Sequence, residues 1–256
     1  EQIVVLQQEL LEHEEYEAQK AKRLLEEELA PLMPNVAGRP VDPSATDYSL
    51  YLVTDRDLMS APTLAQAVEE AIAGGVTLVQ LREKHASSRE FLSQARECKR
   101  VCDAHGVPLL INDRLDIALA CGAAGLHVGQ DDLPVEVARQ IMGPRAIIGV
   151  SASSVEQAVA AEQGGADYLG IGAMYATGTK DDADLVSHDE LLAIRRAVHI
   201  PLVVIGGINA ARADQFAYTG IDGFAVVSAI IAAADITAAA ADLKARFISL
   251  DREMRQ

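Results

Sequence analysis

From residue 48 onward, short runs of β-branched and apolar residues recur along the chain: YSLYLVT at 48, VTLVQL at 76, PLLI at 108, GLHV at 125, AIIGV at 146, DYLGI at 167, PLVVI at 201 and GFAVV at 223. These runs are continuous rather than alternating, as a strand buried on both faces of a parallel sheet requires. Between them lie stretches with helical periodicity, among them LAQAVEEAIAGG, REFLSQARECKRVCDAHG, SVEQAVAAEQGG and HDELLAIRRAV, several closed by a glycine that can cap a helix. Eight such strand–helix units in about 200 residues predict an α/β fold, a (β/α)8 TIM barrel over residues 48–250. A doubly wound open sheet is the competing architecture. The first strand–helix turn, TDRDLMSAP, lacks the glycine-rich fingerprint of a dinucleotide fold, which weighs against it.

The start of the chain is patterned differently. Residues 1–30 contain neither Gly nor Pro and are rich in Glu, Leu, Gln, Lys and Ala, so a long amphipathic helix is expected over residues 1–34, ending near Pro31 and Pro34. Val4, Leu11, Ala18, Leu25 and Leu32 form an apolar heptad row, but the companion row, Gln7, Glu14, Ala21 and Glu28, is too polar for a good coiled coil. The expectation is a helix that docks on the body, on a second copy in a homo-oligomer, or on a fused partner domain. NVAGRPVDPSATD, over residues 35–47, has the Pro, Gly and Ser content of a linker.

Composition narrows the function classes. The 256 residues carry 22 basic against 38 acidic side chains, a net charge of −16, and this acidity opposes nonspecific nucleic-acid binding while leaving room for a local anion pocket. The apolar runs fall short of the roughly 20 residues a bilayer span needs, and the charged start lacks a signal-peptide core, so no membrane association is expected. Three cysteines, Cys98, Cys102 and Cys121, are too few for a disulfide framework, and a reducing, cytoplasmic location is expected.

In a (β/α)8 barrel the chemistry sits at the C-terminal ends of the strands, which makes polar residues there the candidates. Strand 2 ends in QLREK, where Gln80, Arg82 and Lys84 alternate onto one face as an anion site. Strand 3 ends in Asn112, Asp113 and Arg114, and strand 4 in His127, Gly129, Gln130, Asp131 and Asp132. Carboxylates from adjacent strands suit Mg²⁺, which takes one or two of them plus waters and substrate phosphates. Asp113 and Asp132 also stand where helix caps could stand, and His127 could be a core histidine. Strand 5 ends in Ser151. After strand 6 a long loop carries Thr177, Gly178, Thr179 and Lys180, a candidate lid bearing a cation. Strands 7 and 8 end in Ile205-Gly206-Gly207-Ile208 and Val226-Val227-Ser228-Ala229, the habitual phosphate site of such barrels. No nucleophile with a paired base is evident, so two phosphorylated small-molecule substrates with a metal between them point to displacement of pyrophosphate.

With these residues in order, the chain resembles the thiamine phosphate synthase (thiamine-phosphate pyrophosphorylase) family over about residues 48–248. The resemblance is carried by YLVTD at 51, QLREK at 80, IND at 111, GLHVGQDD at 125, GVS at 149, TGTK at 177, IGGI at 205 and VVSAI at 226. It implies a transferase that joins 4-amino-2-methyl-5-hydroxymethylpyrimidine pyrophosphate to 4-methyl-5-(2-phosphooxyethyl)thiazole, giving thiamine phosphate and pyrophosphate with Mg²⁺. Carried over by position, Arg82, Lys84, Asn112 and Lys180 would hold the pyrophosphate, and Asp113 and Asp132 the metal. Gln80 and His127 would line the pyrimidine pocket, and Ser151 would sit near the reacting centre. Thr177, Thr179, Gly207, Val227 and Ser228 would embrace the thiazole phosphate. Lys180, Ser151 and Arg82 are the candidates for direct catalysis.

The segment Gly172-Ala173-Met174-Tyr175-Ala176-Thr177 departs from the family pattern by lacking both of its usual prolines. Three other functions compete. One is a related barrel that binds or isomerises a thiazole phosphate without coupling, which would not need the pyrophosphate set. Another is a Schiff-base aldolase with Lys84 as nucleophile, which borohydride trapping would reveal. A non-catalytic scaffold using the acidic helix is compatible with the first reading.

Overall fold

The computed structural model describes residues 43–176 and 185–254. The expected helix over 1–34, most of the 35–47 linker, and Thr177, Thr179 and Lys180 lie outside the described residues. The linker's end, Pro43–Ala45, forms one turn of 3-10 helix.

Each of the eight apolar runs forms a strand: β1 (Leu50–Val53), β2 (Leu78–Leu81), β3 (Leu109–Asn112), β4 (Gly125–Val128), β5 (Ile147–Ala152), β6 (Tyr168–Ile171), β7 (Leu202–Val204) and β8 (Gly223–Val226). They close into one parallel barrel in sequence order. Closure is made by β8 pairing with β1, Tyr51 opposite Ala225, so the open-sheet alternative is excluded. Helices α1 (Leu64–Ala73), α2 (Ser88–His105), α3 (Leu115–Cys121), α4 (Val135–Met142), α5 (Val155–Gln163) and α6 (His188–Ala197) return the chain after β1 to β6.

Local signals explain where these helices start and stop. Ser87 and Glu90 form a reciprocal capping box at the head of α2, and Gly106 ends it in the left-handed conformation. Ser154 and Ser187 cap α5 and α6 through their hydroxyls. The expectation of a helix after every strand fails once. Between β7 and β8 the crossover contains only a four-residue 3-10 helix, Ala213–Phe216, and the barrel's last helices are α7 (Ser228–Ile231) and α8 (Ile236–Met254). The short crossover still covers the sheet because Phe216 is fully buried and packs edge-on against Phe224 of β8.

Two cores result from the two faces of the strands. Outward positions such as Leu50, Leu52, Val79, Leu81, Ile111 and Leu126 meet the helices. Inward positions, among them Tyr51, Leu78, Leu110, Ile147, Tyr168 and Val203, fill the barrel. One residue pair matters for the site: Gly149 has no side chain because the Tyr168 ring occupies that space, and a Cβ there would lie 2.1 Å from the ring. Among the described residues no helix is long and apolar enough to cross a membrane.

Candidate active site

Inward positions alternate along each strand, so the next inward residue above the apolar filling is the first to reach the C-terminal mouth. On β2 that sequence is Leu78, then Gln80, then Arg82 just past the strand. On β3 it is Leu110, then Asn112; on β4, His127; on β5, Ser151. The register places Asn112 opposite His127. A cavity of about 360 Å³ opens there, within the usual range for small-molecule sites. Its lining includes every described candidate from the sequence: Gln80, Arg82, Lys84, Asn112, Asp113, His127, Asp132, Ser151, Gly207, Val227 and Ser228.

On one side of the cavity lie the cations and carboxylates. Arg82 is anchored through its backbone N–H, which donates to Thr54 Oγ1 at 3.1 Å, and its guanidinium pairs with Asp55 at 3.4 Å. Asp113 has a left-handed backbone, φ 60°, directly after β3. Neither Asp113 nor Asp132 is a helix cap: the residues capping α3 and α4 are Arg114 and Pro134, and no side-chain oxygen caps either helix. Asp132 Oδ2 instead accepts from the Gly129 N–H at 2.7 Å, which turns this carboxylate back toward the strand end. Burial first, and then the adjacent Asp132 carboxylate, push the Asp113 acid up to about 6, with Arg82 and Lys84 pulling the other way. Two carboxylates held together at this cost form a donor set for a hard cation. Among the described residues no cluster of three or more His, Cys, Asp or Glu side chains that could hold a metal is found.

The floor is a chain of hydrogen bonds across the barrel. Gln80 Nε2 donates to Tyr51 OH at 2.5 Å, Tyr51 OH meets Tyr168 OH at 2.7 Å, Tyr168 OH meets His127 Nδ1 at 2.8 Å, and His127 Nε2 meets Ser151 Oγ at 2.9 Å. Starting from the amide donor, one direction satisfies every member: each tyrosine accepts and passes its own proton on, Nδ1 accepts, and Nε2–H donates to Ser151. Gln80, Tyr51 and Tyr168 are at most 3% exposed, so the interaction energy is not lost to water. Desolvation makes both tyrosines much weaker acids than an ordinary phenol, keeping them neutral hydroxyls. His127 is thereby a member of this relay and not an isolated core histidine. Sequence reading missed Tyr51 and Tyr168. The available signal was a polar-tipped aromatic at an inward position of a strand otherwise filled with aliphatic residues.

The opposite side is main chain. Gly206 and Gly207 both have positive φ, 94° and 66°, so the chain doubles back at the end of β7 in a conformation that L side chains rarely adopt. Among the described residues no backbone carbonyl accepts from the Gly206, Gly207 or Ile208 N–H groups. Val227 and Ser228, where α7 begins, complete this side. The cysteines take no part: Cys98 and Cys102 are buried in α2, and desolvation raises both thiols.

A (β/α)8 barrel with cations and paired carboxylates on one side of its mouth and a glycine turn on the other defines an enzyme for phosphorylated small molecules. The sequence profile of the thiamine monophosphate synthase family matches residues 50–230. The chain is 59% identical over 204 residues to the thiamine-phosphate synthase of Clostridium beijerinckii, covering 80% of this chain and 98% of that protein. It is 58% identical over 206 residues to the corresponding protein of Ruminiclostridium cellulolyticum, with the same coverage. A solved thiamine phosphate pyrophosphorylase from Pyrococcus furiosus, 38% identical, superposes with a TM-score of 0.74 over 80% of this chain and 98% of its own. The chain belongs to the thiamine monophosphate synthase family, with the role of a transferase in thiamine biosynthesis.

Proposed function

We propose that the cavity joins 4-amino-2-methyl-5-hydroxymethylpyrimidine pyrophosphate to 4-methyl-5-(2-phosphooxyethyl)thiazole, releasing pyrophosphate. The observation that carries this reading is the two-sided cavity, charged toward β2 to β4 and amide-lined toward β7 and β8. Arg82, Lys84 and Asn112 bind the pyrophosphate, joined by Lys180, while Asp113 and Asp132 hold Mg²⁺. The metal supplies charge neutralisation to the leaving pyrophosphate. Gly207, Val227 and Ser228, with Thr177 and Thr179, bind the thiazole phosphate.

The reaction is dissociative. The C–O bond to pyrophosphate breaks with the electron pair leaving on oxygen, and Arg82 and Lys180 stabilise that charge as it develops. The electron-rich aminopyrimidine stabilises the methylene cation left behind, and the lone pair of the thiazole nitrogen forms the new C–N bond. The relay orients the pyrimidine: Gln80 Oε1 accepts from its amino group, and the Ser151 hydroxyl, directed by His127, donates beside the reacting carbon. No covalent enzyme intermediate is needed: Ser151 does lie against His127, contrary to the expectation of no paired nucleophile and base, but in the relay Nε2–H donates to the Ser151 hydroxyl, so the imidazole is not set to take its proton. The acidic surface and three free cysteines suit a cytoplasmic enzyme that binds no nucleic acid.

The test is to mix both substrates with Mg²⁺ and the purified chain and to follow thiamine phosphate and pyrophosphate. Stoichiometric formation of both supports the reading. Turnover of the thiazole phosphate alone, or borohydride trapping on Lys84, would replace it with the isomerase or aldolase alternative.

A further inference from the structure

The glycine turn after β7 is held from behind by groups that do not line the cavity: Tyr175 from the loop after β6, and Arg212 from the crossover after β7, with Asn209 Nδ2 a longer second donor to the Gly207 carbonyl at 3.5 Å. The Tyr175 N–H donates to the Gly206 carbonyl at 3.2 Å. Arg212 Nη1 donates to the Gly207 carbonyl at 2.8 Å. The same guanidinium lies with its carbon 4.2 Å over the centroid of the Tyr175 ring, and the Tyr175 hydroxyl donates to Gln215 Oε1 at 2.6 Å. The edge of this assembly rests on buried Phe216, 6.3 Å from the Tyr175 ring centre.

A trans peptide is planar, so the C=O of one residue and the N–H of the next point in opposite directions. Holding the Gly206 carbonyl on Tyr175 therefore aims the Gly207 N–H the other way. Holding the Gly207 carbonyl on Arg212 aims the Ile208 N–H the other way. Gly207 and Ile208 both line the cavity, and with glycine at positive φ nothing in the side chains of the turn would stop either peptide plane from rotating. The restraint comes from the carbonyl partners.

We propose that Arg212 is a positioning residue for phosphate binding: by gripping the Gly207 carbonyl while stacked on Tyr175, it keeps the Ile208 amide turned into the cavity. The proposal rests on the reading of this turn as the thiazole-phosphate site and deepens it. Arginine suits the task because its planar edge donates hydrogen bonds while its face covers an aromatic ring, a combination an ammonium does not reproduce. The charge itself is spent on a carbonyl and a ring, outside the cavity lining.

The experiment compares Arg212→Ala, Arg212→Lys and Tyr175→Leu with the parent enzyme in steady-state assays varying each substrate in turn, with inorganic phosphate as a competitive probe against the thiazole phosphate. For Arg212→Ala the KM for the thiazole phosphate and the inhibition constant of inorganic phosphate should each rise about tenfold, the cost of one misdirected phosphate hydrogen bond. The KM for the pyrimidine pyrophosphate and kcat at saturation of both substrates should stay within about twofold. Arg212→Lys should recover part of the loss, and Tyr175→Leu should shift the same two constants by a smaller factor. Unchanged phosphate constants in Arg212→Ala, or a parallel rise in both KM values, would overturn the proposal. If the parent enzyme makes no thiamine phosphate, the coupling reading falls by itself, and calorimetry of inorganic phosphate with parent and Arg212→Lys still decides the positioning role. Should Arg212→Ala fail to fold, Arg212→Lys and Tyr175→Leu carry the same comparison.

Discussion

Asp113→Asn is expected to stabilise the metal-free protein while removing most of its activity. In the folded chain burial and the neighbouring Asp132 raise the Asp113 acid from 3.8 to about 6, so above that value the native state carries an anion it would rather not hold. The gap of about two pH units corresponds to about 3 kcal/mol, and because the carboxyl is only partly buried, screening reduces this to roughly 1.5 kcal/mol. The sign follows from linkage: a native acid weaker than its unfolded form contributes stability that is complete below the unfolded value and lost as pH rises to the folded one. Asparagine stays neutral throughout and escapes that loss. It also tolerates the left-handed backbone at this position, φ 60°, so no strain is added. Urea denaturation in a chelator at about pH 8 should place the variant about 1–2 kcal/mol above the parent, with the difference vanishing near pH 4. Turnover with Mg²⁺ should fall at least about a hundredfold, because the leaving pyrophosphate loses its neutralising partner. A variant less stable than its parent at about pH 8, or a gap equal at both pH values, would refute the account of two carboxylates forced together.

Three further outcomes are expected. Gly207→Val, at φ 66°, should strain the turn and weaken thiazole-phosphate binding about tenfold or more while sparing the pyrimidine pyrophosphate; calorimetry with each ligand decides, and an unaltered affinity would put that phosphate elsewhere. Gly149→Ala would set a Cβ 2.1 Å from the Tyr168 ring, so urea unfolding should report a loss of about 1–3 kcal/mol and pyrimidine pyrophosphate should bind less tightly as the relay shifts. Deleting residues 1–44 should leave turnover per folded barrel intact, with any deficit appearing in stability or in sedimentation; a truncated protein that binds both substrates yet cannot join them would show that the segment serves catalysis.

Much of the architecture was legible because parallel strands buried on both faces leave an unmistakable trace. VTLVQL, AIIGV and PLVVI are continuous apolar runs, and each became a strand. The crossover after β7 was less legible, since NAARADQFAYTG has helix-forming residues but is satisfied by a single 3-10 turn once Phe216 is buried. The charged half of the site was readable for a simple reason. Arg82, Lys84, Asp113 and Asp132 stand at strand ends, where the barrel rule gives a polar residue meaning without any knowledge of its neighbours.

The sequence by itself determined the barrel, the end of it where the cavity opens, and the types of charge gathered there, because each depends on local periodicity and on position along one strand. Only the tertiary structure decided which groups touch. Tyr51 and Tyr168 are 117 residues apart, and their hydroxyls meet only because β1 and β6 face each other across a closed barrel. The freedom of Asp113 from capping, the rise of its acid beside Asp132, and the grip of Arg212 on Gly207 are likewise set by distances between separate loops. Hydrogen bonds and charge interactions decay within a few ångströms, whereas sequence pattern records burial averaged over whole elements.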